Sequence, residues 1–556
     1  MTCLRSSTWA AASLIILAGA ATFANAQTAT ANIQSKDTVI AVAGEAFAAN
    51  GFHARMLGKN YRDEWTTKIR VPVLDLNTFA GGVNATKIGG GKQTRSLRLA
   101  NADSAEYVFR PVYKAGTNLP DQFKGTIIWW IVRDAGSASH PGAAVTAVPL
   151  MDLTGVLHPT PKFVVLPDDP RLGEFRKEFA GVLGTIEDYP KVPKSGEMFG
   201  GAKDFMDADK FLDAINKSPS TQPDAHTLLK ARLADLLLGD NDRHPDQWKW
   251  ARMSKDSTAP LEPVARDRDK VFVSYGGVLM GIARKMIPSL ITFRGTYSDP
   301  TALFENATDF DRRILGGLSK AEWLATANDL KSRITNDVID KTILTMPKEY
   351  IASSGDLAEA MRGRRDNLPE VAMLYYRELF ALATVQGTDA ADRATVYRLP
   401  DGKVRVTLLA GGDAPWFDRT YDPEDTHEIR VYLHEGDDSA VVTGDVQSSI
   451  PVRIIGGNGD NTLIDRSTVN GAANPTMLYD EGKVTGVKYA RDTVDENKDE
   501  ATALNHYYNR RPWVHAFGTM LPPQKDYGTT TKPVVGLKTG HGLGLDASRA
   551  RVVLQV

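Results

Sequence analysis

Cysteine is almost missing from this sequence. The single thiol, Cys3, stands at the extreme amino end of a 556-residue chain. A disulfide framework and a cysteine-built zinc site are both excluded. Long apolar runs are missing as well. Beyond the first two dozen residues, none approaches the roughly 20 residues of a membrane helix. A net charge of −2 gives no reason to expect nucleic acid or anionic lipid as a partner. What is present is globular: 42% hydrophobic and 24% charged residues, over a length that suits about two to four domains.

The amino end is built like a secretory leader. Arg5 supplies the positive charge, Trp9 to Ala18 the apolar stretch, and Ala24-Asn25-Ala26 a small-x-small cleavage site. We therefore expect residues 1–26 to be removed and the mature chain, free of cysteine, to be exported. Such a chain suits a bacterial periplasm or cell surface, where a stray thiol would oxidise.

The pattern then divides. Residues 27–44 read as a polar linker. From 45 to 135 strand-like pieces surround a glycine-rich segment, in which Gly89, Gly90 and Gly91 precede Lys92. Strands are expected at 95–99, 107–112 and 126–132. From 136 to 388 helical periods dominate. Leu229, Leu233, Leu236 and Leu237 form one stripe, Ser319 to Glu322 a capping box, and Pro369 a helix start. A further helix is expected from Leu172 to Leu183. From 390 to 490 the period changes to two, with Asp401-Gly402 as a hairpin turn. Residues 491–556 read as a tail that stops on the apolar run Val552 to Val556, as though a further strand-rich segment followed. The fold class expected is α+β, followed by a small all-β domain.

Chemistry concentrates in two acidic clusters. Gly239-Asp240-Asn241-Asp242-Arg243-His244 runs on to Gln247-Trp248, directly after the leucine stripe. Arg266-Asp267-Arg268-Asp269 follows at a hairpin-sized interval. Phosphoryl transfer needs a carboxylate to orient the attacking hydroxyl, oxygen ligands for magnesium, and cations for the phosphates. These clusters supply the carboxylates. Backbone N–H groups in the upstream glycine segment could approach phosphate closely.

Asp242-Arg243-His244, with Asp267 beyond it, resembles the catalytic and metal-binding motifs of atypical protein kinases of the HipA and CotH kinds. The resemblance implies a protein-kinase-like bilobal domain. It makes Asp242 the catalytic base and His244 the brace of its loop. Asp267 becomes a metal ligand, with Asp269 as the alternative and Gln247 standing where those families use asparagine. It assigns the cation on the strand after the glycine segment to phosphate, either Arg110 or Lys114. Gly89, Gly90, Gly91 and Lys92 become the phosphate loop. ATP and Mg2+ are the implied cofactors, and nucleotide the implied partner.

A wider resemblance rests on Asn60-Tyr61-Arg62, Gly89 to Leu99, Leu238 to Trp248 and Arg266 to Asp269. It is to a group of bacterial exported proteins in which a surface-antigen-type outer-membrane barrel follows the soluble region. That implies an outer-membrane setting and an envelope partner protein. The activity expected is a phosphotransferase acting on protein or cell-surface hydroxyls. The alternative is an inactive kinase-like binding module or a secretion partner. In the β-domain, Gly456-Gly457-Asn458-Gly459-Asp460-Asn461 resembles a calcium-binding nonapeptide, with Glu435-Gly436-Asp437-Asp438 as a partial copy. Asn461 stands where that repeat needs aspartate, so calcium is not expected there.

Overall fold

Alternating burial along the strands builds the first lobe. The computed structural model describes residues 37–89, 95–114, 126–196, 199–285, 287–297, 300–353, 355–470, 475–480 and 493–495. Strands β1 (Thr38–Val42) and β2 (Lys68–Pro72) form an antiparallel pair. Next come β3 (Val83–Gly89), β4 (Ser96–Asn101) and β5 (Glu106–Pro111), then helix α1 (Ile127–Asp134), β6 (Lys162–Val165) and β7 (Leu183–Asp188). The five strands make one antiparallel sheet in the order β3-β4-β5-β7-β6. Leu97 opposes Phe109, which opposes Ile186, and this face packs on Leu76, Phe79 and Val83. The other face carries Arg98, Val108 and Glu187 toward the second lobe, because successive side chains alternate across a strand.

Two expectations fail in this lobe. Residues 126–132 are α1 and not a strand. Thr126 caps the helix by accepting the Trp129 N–H at 3.3 Å. A short apolar run carries no period that separates the two outcomes. The stretch 172–183 is not one helix either. It is a 3-10 turn, a single α-turn and the start of β7, interrupted at Gly173 and Gly181, whose φ values are 55° and 75°.

The second lobe is helical around α2 (Ala225–Leu238). Asp224 caps it by accepting the Thr227 N–H at 2.9 Å. Leu229, Leu233, Leu236 and Leu237 are buried, each worth about 1.5–3 kcal/mol. Gly239 ends the helix in the left-handed region at φ 71°. The small sheet beside it joins β8 (Asp204–Met206), β9 (Trp248–Arg252) and β10 (Leu261–Ala265). As expected, β9 leads out of the first acidic cluster and β10 returns into the second. Helices α3 (Lys320–Arg333), with its capping box intact, and α4 (Leu368–Phe380) complete the lobe. The α+β architecture is present, a five-stranded sheet region and a helical region, and is followed by an all-β domain.

That domain opens with β11 (Leu382–Gln386). The hairpin of β12 (Asp392–Arg398) and β13 (Val404–Ala410) comes next, with β14 (Phe417–Tyr421) on its edge. From β15 (Glu428–Tyr432) onward the chain winds as parallel coils. β16 (Ser439–Thr443), β17 (Asp445–Val446) and β18 (Val452–Ile455) are followed by β19 (Thr462–Asp465), β20 (Thr468–Val469), β21 (Thr476–Tyr479) and β22 (Thr493–Asp495). Ile429 opposes Val452, Ser439 opposes Thr462 and Asp445 opposes Thr468, so each coil sits on the next. The two Gly-Asp segments are stacked turns 23 residues apart. Asn458 bonds Glu435, the Asp460 N–H bonds Asp437, and the Asp438 N–H bonds Asn461.

Candidate functional site

The loop after α2 is held by buried charge. Asp240 and Arg243 are fully buried. The Asp240 N–H donates to the Asp235 carbonyl at 3.0 Å, and the Asp242 N–H to Asp240 Oδ1 at 3.2 Å. Arg243 Nη1 donates to the carbonyls of Arg266 (2.6 Å) and Asp267 (3.2 Å). Its Nε lies 3.4 Å from Asp235, and its guanidinium packs 4.5 Å from the Trp248 ring centre. One side chain thus ties the Asp242 loop to the Asp267 cluster. Arg268 joins the network on Asp235 and lies 3.5 Å from Asp240. Burial pushes the Asp240 carboxyl up to about 6, against the pull of Arg243. A charge removed from water needs opposite charge nearby, and these residues supply it to one another.

The expected residues divide into those that meet and those that do not. Asp267, at a φ of 51°, places Oδ2 3.3 Å from Arg110 Nη1 on β5 of the first lobe. Burial opposes its ionisation. Arg110, Lys114, Arg266 and Arg243 outweigh that and hold it at about 2. Lys114 contacts Asp269. Burial, with Lys270 and Arg110 nearby, brings Lys114 down to about 8, while Asp267 and Asp242 pull the other way. Arg110 and Lys114, the two candidates for the phosphate cation, therefore both reach the acidic cluster. Asp242 is half-buried, with His244 Nε2 3.8 Å from its Oδ1. Gln247 turns its amide nitrogen to His244 Nε2 at 3.2 Å. Gly89 ends β3. Gly90, Gly91 and Lys92 lie outside the described residues.

Three functional neighbours escape the linear pattern. Glu187 takes the Arg110 Nε at 2.8 Å from the adjacent strand β7. On the segment where a helix is expected from the sequence, Glu178 pairs with Arg95 at 2.9 Å. Lys270 is raised above its ordinary value against the burial that lowers it, by Tyr275 first and then by Asp242, Asp240 and Asp267. The third is Asp240 itself. A charged run following a leucine stripe, as at 239–243, was the only linear sign of its buried place.

Asp267, Asp269 and Gln247 offer hard oxygen donors, the ligand chemistry that Mg2+ takes. One or two carboxylates suffice when phosphate oxygens and water complete the shell. Among the described residues no three His, Cys, Asp or Glu side chains converge as a metal cage.

No protein-family model and no curated protein sequence matches the chain. Among solved structures it is similar to a proinflammatory kinase, CtkA, of Helicobacter pylori. That match has a TM-score of 0.29 at 12% identity and covers 52% of this chain and 94% of that one. The Golgi casein kinase with Mn and ADP bound matches at 0.29 and 10%, covering 53% and 73%. HipA of Shewanella oneidensis, in its complex with HipB and operator DNA, matches at 0.26 and 11%, covering 52% and 67%. None overlaps strongly enough to transfer a residue role to this chain.

Proposed function

We propose that this chain is an exported kinase-like phosphotransferase acting on protein or cell-surface hydroxyls. The observation that carries the reading is the Arg243 tie. It ties the loop that carries Asp242 to the backbone of Asp267, Arg110 reaches Asp267 from the opposite lobe, and Asp242 and Asp267 both lie near enough to act on Lys114 and Lys270. A base, an ionised carboxylate for a divalent cation, and two phosphate-seeking cations then share one cleft.

In this reading Asp242 orients the attacking hydroxyl and accepts its proton as the new O–P bond forms. The bond from the terminal phosphorus to the leaving phosphate oxygen breaks, and that oxygen carries away the negative charge. Arg110 and Lys114 lie where cations stabilise the charge on the phosphoryl oxygens. Mg2+, held by Asp267 with Asp269 or Gln247, would neutralise charge on the phosphates. Lys114, with its pKa brought down to about 8, exchanges its bond to Asp269 for a phosphate oxygen.

A second reading, an inactive binding module at the outer membrane, is favoured by one observation. Asp267 and Asp269 are each already ion-paired, to Arg110 and Lys114. Incubating the chain from Gln27 with envelope extract, Mg2+ and a γ-labelled triphosphate separates the two. Transfer that requires Asp242 supports the first reading. Retained donor binding without transfer establishes the second. Export is tested by fractionation, with cleavage after Ala26 as the expected outcome and retention of residues 1–26 as the contrary one.

A further inference from the structure

Where the five-stranded sheet faces the β9–β10 hairpin, at the inner end of the proposed site, the lining is cationic. On the sheet, Arg98 opposes Val108, which opposes Glu187, so Arg98, Glu187 and Tyr189 (two residues beyond Glu187) share the cleft face. On the helical lobe, Lys249 opposes Val264, and Arg266 follows two residues later on the same face of the hairpin. These cations converge on one ring. Arg98 lies 3.2 Å from the Tyr189 ring centre, Lys249 4.9 Å and Arg266 5.3 Å.

Compensating charge is scarce. Arg98 has Glu106 at 3.8 Å, but Glu106 also serves Lys191 at 2.5 Å. Glu187 is engaged by Arg110. Among the described residues, neither Lys249 nor Arg266 has a carboxylate within ion-pair distance, and Lys249 turns to the Tyr189 hydroxyl. Arg98 Nε and Nη1 are buried without an acceptor. Orphaned buried guanidinium donors are costly unless something accepts from them. Arg98 also lies against the glycine segment: a Cβ on Gly89 would sit 3.3 Å from its Nε.

We propose that the ligand of this cleft carries an anionic phosphoryl group at its inner end, seated by Arg98, Lys249 and Arg266. The proposal rests on the phosphotransferase reading for the outer end, where Arg110, Lys114 and Asp267 stand. Arg98 and Arg110 are diagonal neighbours on adjacent strands, about 7–8 Å apart at Cβ or less. That spacing suits one ligand with phosphoryl groups at both ends. An apolar slot is what an uncharged heterocycle prefers, and three cations around a phenol do not supply one. The supporting electrostatics agree: burial raises the Tyr189 phenol, yet Lys249, Arg98 and Arg266 bring it down to about 8.

Two sources offer this chemistry, a linear polyphosphate and a nucleotide that bears a second phosphate on its sugar. Calorimetric titration of the full chain with tripolyphosphate, ADP and 3′-phosphoadenosine 5′-diphosphate distinguishes them. At least one of the doubly anionic ligands should bind about tenfold tighter than ADP, more so at low salt. Arg98→Gln and Arg266→Gln should each abolish that advantage, while Arg98→Lys retains part of it. Arg95→Gln, whose partner is the remote Glu178, should leave it intact. Lys249→Gln serves as the independent variant should Arg98→Gln unfold. ADP binding as tightly as both other ligands, or an advantage that survives these substitutions, overturns the proposal. The same titrations on Asp242→Asn keep the two readings apart. Binding there should be unchanged, and a failure of phosphoryl transfer alone would leave the inner anion site standing.

Discussion

Replacing Arg243 with methionine should damage the fold as much as the chemistry. The side chain is wholly buried between Asp235 and Asp240, donates to two backbone carbonyls and stacks on Trp248. Methionine keeps most of the volume and the contact with the ring. It removes the cation facing two buried carboxylates and the donor facing two carbonyls. Breaking a buried ion pair from one side costs about 3–5 kcal/mol, because the remaining charge is left uncompensated. For a unit of this size each kcal/mol moves Tm by about 2–4 °C. The expected fall is therefore roughly 6–20 °C in a calorimetric scan. Adding Asp240→Asn should recover part of the loss, since Asp240 then faces Arg268 alone. A fall below about 1 kcal/mol, the scale of an exposed pair, would refute the reasoning. So would a double variant as unstable as the two single losses combined.

Further outcomes follow from other parts of the molecule. The Asp438 carboxyl is raised to about 8 by burial, helped by Asp392, Asp437 and Asp480. In the unfolded chain it ionises near pH 4, so between about pH 4 and 8 the folded state binds the extra proton and stability falls as pH rises. The β-domain should melt higher at pH 5 than at pH 8, and Asp438→Asn should flatten that dependence. Arg419 bonds the Gly316 carbonyl and packs 3.9 Å from the Phe380 ring centre, joining the β-domain to the helical lobe. Arg419→Ala should split one melting transition into two, or speed proteolysis near 381–390; an unchanged single transition contradicts this. At Gly184 a Cβ would meet the Phe109 ring at 2.3 Å and the Arg110 carbonyl at 2.5 Å. Gly184→Ala should thus weaken phosphoryl transfer along with stability, in contrast to Gly281→Ala, where nothing lies within 4 Å and φ is not positive.

What could be read from the sequence is what forms locally. The leucine stripe of α2, the Ser319–Glu322 capping box and the Asp401-Gly402 hairpin depend on neighbours a few residues apart, and all three are present. The return of the chain from the Asp242 loop to the Asp267 cluster was legible too, because a hairpin brings it back after a short interval. Glu187 was not, since it meets Arg110 through the pairing of β5 with β7, across all the helices between them. The cations around Tyr189 were hidden for the same reason, each arriving on a different strand or loop. The parallel winding of the β-domain was half visible. The two Gly-Asp segments recur 23 residues apart, yet short strands between Gly-Asp turns suit a sandwich as well as a coil. Apolar runs without a period, as at 126–132, stay ambiguous until a cap such as Thr126 settles them.

The central claim is that Asp242 serves phosphoryl transfer in this cleft. Its most direct test compares the chain from Gln27 with its Asp242→Asn variant, at matched Tm, for transfer of label from the tightest-binding phosphate donor to envelope proteins with Mg2+ present. The account predicts transfer by the parent and a loss of about 100-fold or more in the variant, with donor affinity unchanged. Equal transfer by the two proteins, or none by either, would contradict it.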